Sequence, residues 1–265
     1  MKDFKTLVFK NCRNAYLETG IFKLGGVSIS SKLAKNQKVN GQMTYVVYMS
    51  PANQSGYNVC PTSTPECRLG CLSTSGRAAM DINCGANIIV NSRIKKTRLF
   101  FENNLFYMNW LVAEIKNARV QAIKKGYEFS VRLNGTSDID WNEYKLNNLT
   151  VFETFPDVQF YDYTKNPTKL DNLAANYHLT FSYSGHNVST CKKVLSKGYN
   201  VAVVFNVQKN QPLPETFLGY KVIDGDLTDY RPADEKNVIV GLRWKRIANK
   251  ADNDQIKNSV FVVQV

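Results

Sequence analysis

Glu128-Phe-Ser-Val-Arg-Leu133, followed at once by Asn134-Gly-Thr-Ser-Asp138, is the pattern on which the fold reading turns. An apolar, partly β-branched run closes on a polar turn containing glycine, as a buried strand does when it hands over to a loop. Similar units recur at 158–163, 178–183, 200–205, 220–223 and 238–244, and an earlier one stands at 44–49. Between the later strands lie stretches with room for helices, as at 141–155 and 190–197. Residues 87–124 have helical periodicity through Ile94, Leu99, Phe106, Trp110, Val112 and Ile115, with a break at Asn103-Asn104 and a stop at Gly126. This alternation predicts βαβ units and a mainly parallel α/β sheet, a full or partial (β/α) barrel of the TIM-barrel kind. Residues 43–265 are expected as a single barrel-like domain, with 1–42 as a short N-terminal extension or hairpin.

The residues that close the strands are Asn134 to Asp138, Thr164-Lys165, Ser184-Gly-His186-Asn187, Asn206, Asp224-Gly-Asp226 and Lys245-Arg246. In parallel α/β folds ligands bind at the carboxyl ends of the strands, so these groups are expected on one face. Arg132, Asn134, Ser137 and Asp138 offer hydrogen bonds to a ligand with amino, carboxylate or ribose groups, or else form a turn and helix cap. Lys165 suits an anion or a facing carboxylate. His186 reads as a metal ligand, a proton carrier or a plain loop residue, and His178, at a strand start, as structural. Asp138, Lys165 and His186 are the candidate catalytic groups.

The first strand leads into a thiol-rich loop, Cys60-Pro-Thr-Ser-Thr-Pro-Glu-Cys67-Arg-Leu-Gly-Cys71. If the chain turns helical after Pro65, Cys67 and Cys71 share a face and Cys60 folds back over them. Crowded thiolates repel, and a cation relieves that repulsion. Three sulfurs suit an iron-sulfur cluster with one open iron, or zinc with a fourth ligand, Cys84 being nearest in sequence. The plainer alternatives are packed thiols, or a disulfide with a spare cysteine. Cys12 and Cys191 stand apart and read as packed thiols.

The chain carries 34 Lys and Arg against 22 Asp and Glu, a net charge of +12. That balance favours an anionic partner, nucleic acid or a phosphorylated substrate. The run Arg93-Ile-Lys-Lys-Thr-Arg98 could contact phosphates or form the solvated face of an amphipathic helix, and the second is favoured. No apolar stretch reaches the length of a membrane helix, no secretory signal is visible, and the six cysteines are expected as thiols or ligands in a cytoplasmic setting. Two histidines exclude a His-rich metal site, and no Walker loop, dinucleotide fingerprint or H-E-x-x-H motif is present.

The cysteine loop, Val131-Arg-Leu-Asn-Gly-Thr-Ser-Asp-Ile139 and Phe155-Pro-Asp-Val-Gln-Phe-Tyr-Asp-Tyr-Thr-Lys165 together resemble phage-encoded proteins of the gene product 88 type. The likeness covers about residues 50–165 and would place the protein in the host cytoplasm. That family in turn looks distantly like radical S-adenosylmethionine enzymes. The resemblance implies a 4Fe-4S cluster on Cys60, Cys67 and Cys71, with Asn134, Ser137 and Asp138 near the amino acid moiety of S-adenosylmethionine. It further implies an enzyme acting on a nucleic acid or nucleotide-related substrate. Radical enzymes usually show C-x3-C-x2-C, whereas here the gaps are six and three, and Gly70 stands where an aromatic residue is common. The alternative is a non-enzymatic nucleic-acid-binding or host-interaction protein with a structural zinc on Cys60, Cys67, Cys71 and Cys84.

Overall fold

A computed structural model of the protein describes residues 3–27, 31–71, 87–247 and 249–265. Its centre is a mixed α/β arrangement built on a ten-stranded, mostly parallel sheet. The strands are β1 (Gly25–Val27), β2 (Gln42–Val47), β3 (Glu128–Arg132), β4 (Gln159–Thr164), β5 (Tyr177–Ser182), β6 (Val201–Phe205), β7 (Thr216–Phe217), β8 (Tyr220–Asp224), β9 (Ile239–Arg243) and β10 (Val262–Val263). Their order is β1-β2-β3-β4-β5-β6-β9-β8-β7, with β10 added to β6. From β2 to β8 every neighbouring pair is parallel, while β1 and β7 are antiparallel at the two edges. The edges β1 and β7 do not pair with each other among the described residues.

All seven expected strands form, within a residue or two of their predicted limits. Residues 1–42 contribute α1 (Cys12–Thr19), β1 and α2 (Ser31–Asn40), and β1 joins the sheet beside β2. The long helical stretch divides where expected, into α3's successors α4 (Ile88–Glu102) and α5 (Asn104–Lys124), α3 itself being the short Pro65–Leu69 helix of the cysteine loop. Asn103 makes the break, because its side chain caps α5 through Phe106 N while its amide donates to Phe4 O and Leu7 O at 2.6 and 2.8 Å. The expected helix at 141–155 is instead a 3-10 turn at Trp141–Glu143 and α6 (Val151–Thr154). Asn147 and Asn148 both take positive φ between them, which ends helical geometry, and a Thr150–Glu153 capping box restarts it.

Strands laid down in order, joined by right-handed crossovers, leave their helices on one face. Here α5 packs on β1, β2 and β3, and α7 (Val188–Ser196) on β5 and β6. Their apolar sides meet Tyr45, Val47, Val131, Phe160, Leu179, Phe181, Val201, Val203 and Phe205 in one core. The opposite face is covered by α2 and by residues 226–234, and it is markedly polar: Thr44, Ser130, Arg132, Tyr161, His178 and Thr180 belong to it. Asn36 of α2 ties it together, donating to Thr44 and Tyr161 and accepting from Thr228 Oγ1 and Asp229 N.

Leu111 of α5 is fully enclosed in the apolar layer whereas Ile123, on the same helix, is 63% exposed. Leu111→Ala is expected to cost about 2–5 kcal/mol in urea denaturation. Ile123→Ala is expected to stay within about 0.5 kcal/mol of the parent, and equal losses would show that α5 does not pack as described.

Candidate functional site

The chain leaves β2 at Val47 and enters the thiol loop through Ser50, whose N–H donates to Thr97 Oγ1 of α4 at 2.9 Å. The loop turns back on itself through Val59 N to Ala52 O, and Val59 O then accepts from Asp138 N at 2.8 Å. This contact sets the thiol loop beside the turn that follows β3. Gly135 makes the approach feasible, since a Cβ there would lie 2.7 Å from Val47 O and 2.8 Å from the Tyr48 ring.

Asp138 is the knot of this edge. Its Oδ1 accepts from Thr164 Oγ1 at 2.8 Å and from Lys169 Nζ at 2.7 Å, and its Oδ2 from Lys165 N at 2.9 Å and Thr62 Oγ1 at 3.3 Å. Lys169 also donates to Asp138 O at 2.6 Å. One carboxylate thus joins β4, the turn after β3 and the thiol loop. Asn134 Oδ1 accepts from Ser137 Oγ, Ile139 N and Trp141 Nε1, and its amide donates to Ile139 O. Asn134, Ser137 and Asp138 are therefore held rigidly by their own neighbours.

The cysteines are carried by this scaffold. The helix expected after Pro65 forms as α3, capped by Thr64, and places Cys67 inside it and Cys71 just past its end. Cys60 Sγ lies 3.8 Å from Thr136 O. Burial pushes its thiol up to about 11, and the neighbouring Cys71, Asp138 and Cys67 act in the same direction. Cys67 and Cys71 are thus near enough to Cys60 to act on its thiol, and none of the described cysteines is in a disulfide. Among the described residues, no three His, Cys, Asp or Glu side chains are grouped so that they could hold a metal ion. Cys84 lies outside the described residues.

The other predicted residues divide between two places. Lys165 stands at the same edge, its ammonium 5.9 Å from the centre of the Phe261 ring. His186 is largely exposed, its Nε2 3.6 Å from Glu66 Oε1 of α3, so it joins the thiol loop to the loop after β5. The C-terminal segment lies over both: Gly185 abuts Val260, and Gly70 abuts Ile256 of α8 (Lys250–Lys257). Arg132 is turned to the polar sheet face, where its Nη1 donates to Asp229 Oδ2 at 2.5 Å and its guanidinium stacks over Tyr161 and Tyr163. The basic run on α4 is largely engaged within the molecule. Arg93 lies over the Tyr48 ring, Arg98 Nε donates to Ser55 O, and Lys96 is held near Glu114 with its amine lowered to about 8 by burial.

A family model described as Gene product 88 matches residues 26–261. The chain belongs to the gene product 88 family. The match spans every strand from β2 to β9, and so takes in the thiol loop, the Asp138 knot and the polar sheet face of this phage family alike. No curated protein and no solved structure matches the chain. None of these comparisons supports a likeness of this gene product 88 protein to radical S-adenosylmethionine enzymes. No described helix is long and apolar enough to cross a membrane.

Lys169 and Thr62 were not legible as members of this edge, because nothing local marks them; they act through a carboxylate more than thirty positions away in one case and over seventy in the other. Removing Asp138 leaves the buried Lys169 ammonium without its carboxylate. Asp138→Leu is expected to cost about 3–5 kcal/mol. Lys169→Met should cost clearly less, because Asp138 keeps Thr164, Thr62 and Lys165 N. Chemical denaturation of both variants checks the order, and the reverse order would remove Asp138 from the centre of the edge.

Proposed function

We propose that this gene product 88 protein is an enzyme with a partial (β/α) barrel whose thiol edge holds a 4Fe-4S cluster on Cys60, Cys67 and Cys71. S-adenosylmethionine is the cosubstrate in this reading, and a nucleic acid or nucleotide-related molecule the substrate. The observation that supports it is the placement of the cysteine loop against Asp138 at the carboxyl edge of a parallel sheet, through Thr62 Oγ1 and Val59 O, with Cys67 in α3 and Cys71 just past its end. A donor set of soft sulfurs suits iron or zinc, and a soft cation would replace the mutual repulsion of the thiolates by attraction. When bound, a cluster on three cysteines supplies one-electron chemistry at an iron with an open position.

The chain's own residues support that role in distinct ways. Asp138 and Asn134 hold the turn after β3 stiffly against the thiol loop, which fixes where a ligand's polar groups would lie. Lys165 supplies a positive charge at the same edge, and the net charge of +12 favours an anionic substrate. His186, exposed and beside Glu66, is placed to hold or move a proton at Nε2.

Metal and sulfide analysis of protein purified without oxygen tests the reading, with about four irons and four sulfides per chain expected. Cys60→Ser, Cys67→Ser and Cys71→Ser should each lose the cluster, and Cys12→Ser should keep it. One zinc without sulfide would replace the enzyme by the structural site that recruits Cys84, and metal-free protein would defeat both. The metal-free form offers a second check. Because its thiol is raised to about 11, Cys60 should be alkylated slowly at pH 8 and faster as pH climbs toward that value. Rapid alkylation of Cys60 at neutral pH would contradict the buried environment on which the reading depends.

A further inference from the structure

Phe22 is 79% exposed, yet the turn that carries it is tightly held. Ile21 before it and Leu24 after it are buried. Ile21 N donates to Thr19 Oγ1 at 3.0 Å, Thr19 Oγ1 donates to Ala15 O at 2.7 Å, and Leu24 N and Gly25 N donate to the Glu114 carboxylate. Gly20, with φ of 66°, closes α1 through its N–H on Tyr16 O and turns the chain back. The backbone beneath Phe22 is therefore anchored, and its ring is held out in solvent. Tyr16 of α1 stands beside it, also exposed, the two ring centres 5.8 Å apart in edge-to-face geometry that leaves ring faces open. Leu17, exposed as well, follows Tyr16 on α1. Single apolar side chains on a surface are ordinary, but three adjoining ones on an anchored turn call for a partner.

The charges around the trio identify that partner. Arg13 lies one helical turn from Tyr16 and Leu17, on their side of α1. Lys95 of α4 brings its ammonium within 3.8 Å of where a Cβ on Gly20 would lie, so it stands over the same turn. Lys23 follows Phe22 and is close enough to Lys96 to act on its amine. Arg13, Lys23 and Lys95 are exposed, and none takes part in an ion pair among the described residues. Open ring faces among unneutralised cations fit a flexible polyanion whose bases can stack, since every base has a π-face and every phosphate a charge. Duplex bases are already stacked on one another, so a single strand suits the rings. A membrane is fitted less well, because an eight-residue helix that begins Cys12-Arg13-Asn14 has no continuous apolar face. A second copy is fitted worse, because a two-fold contact would set the same cations against each other.

We propose that Tyr16, Leu17 and Phe22, with Arg13, Lys23 and Lys95 around them, form a docking platform for single-stranded nucleic acid. Bases stack on the rings and phosphates meet the cations, with no part for the sugar. Gly25 pairs with Val47, so the turn at Phe22 opens at the carboxyl end of β2, the end from which the cysteine loop also leaves. Apart from Lys95, the platform lies ahead of residues 26–261, the stretch that the family model matches, and it binds its strand with or without a metal on the cysteines.

A fluorescein-labelled oligothymidylate titrated with the full-length protein, followed by anisotropy at several salt concentrations, tests the platform. Phe22→Ala should weaken binding at least about fivefold, the loss of one stacked base, with the salt dependence unchanged. Phe22→Trp should restore the affinity. Lys95→Gln should weaken binding and also lower the slope of log K against log salt by about 0.7, one released counterion. Oligouridylate should bind like oligothymidylate, and a duplex of equal length more weakly. Because Phe22 is exposed, Phe22→Ala should melt with the parent, and chelator-treated protein should bind as untreated protein does, which keeps the result distinct from the fate of the cluster. Absence of oligothymidylate binding would overturn the platform, as would equal affinity in Phe22→Ala and the parent. A loss confined to Lys165→Gln would also overturn it, by placing the strand on the thiol edge. So would Phe22-dependent attachment to anionic phosphatidylglycerol vesicles, or Phe22-dependent dimerisation in sedimentation, without oligonucleotide binding.

Discussion

Where parallel strands splay apart, their backbone N–H groups lose ladder partners, and a buried N–H must still be satisfied. This chain solves that problem repeatedly with carboxylates. The β3–β4 ladder is short, and just beyond it Asp162 accepts from Leu133 N and Asn134 N at 3.1 Å each. Asp138 takes Lys165 N at the end of β4, Glu114 takes Leu24 N and Gly25 N at β1, and Asp226 takes Arg243 N at the end of β9. Each carboxylate is then pinned by a second group: Arg132 near Asp162, Lys169 on Asp138, Tyr45 on Glu114, and the Arg243 guanidinium near Asp226. The thiol edge and the polar face both inherit their rigidity from these anchors.

The sheet's two faces follow from alternation that is plain in the sequence. In Glu128-Phe-Ser-Val-Arg132, Val131 points to the helices and Ser130 and Arg132 to the opposite side. In Phe160-Tyr-Asp-Tyr-Thr164 the two tyrosine rings lie under the Arg132 guanidinium while Phe160 enters the apolar core. A parallel sheet buried on both faces is ordinarily apolar on both. Here one covered face is lined by Thr44, Ser130, Arg132, Tyr161 and Thr180, which makes it an interior with chemistry rather than a second core.

Strands such as Val201–Phe205 and Ile239–Arg243 were legible because long β-branched runs between polar turns admit few other readings. The strands β1, β7 and β10, two or three residues each, have no room for a period and are created by their neighbours. The helix expected at 141–155 gave way to two turns because consecutive asparagines adopt left-handed geometry, a choice that composition permits but does not announce. At the candidate site, the cysteine spacing and the Asn134–Asp138 turn were visible, since both are local. Lys169 and Asp229 were not, because each acquires its meaning only from partners brought near by the folded sheet.

Strand β6 is bordered on one side by β9, and on the other by β5 for its first half and β10 for its second. The lower seam joins elements close in sequence, while the upper one waits for residues made much later. Until Val262 and Val263 arrive, Val204 and Phe205 present an open, apolar strand edge, the kind of surface that recruits stray chains. The C-terminal segment therefore does for this sheet what a chaperone does for a nascent chain, closing a sticky seam, and the same closure draws α8 down over the cysteine loop.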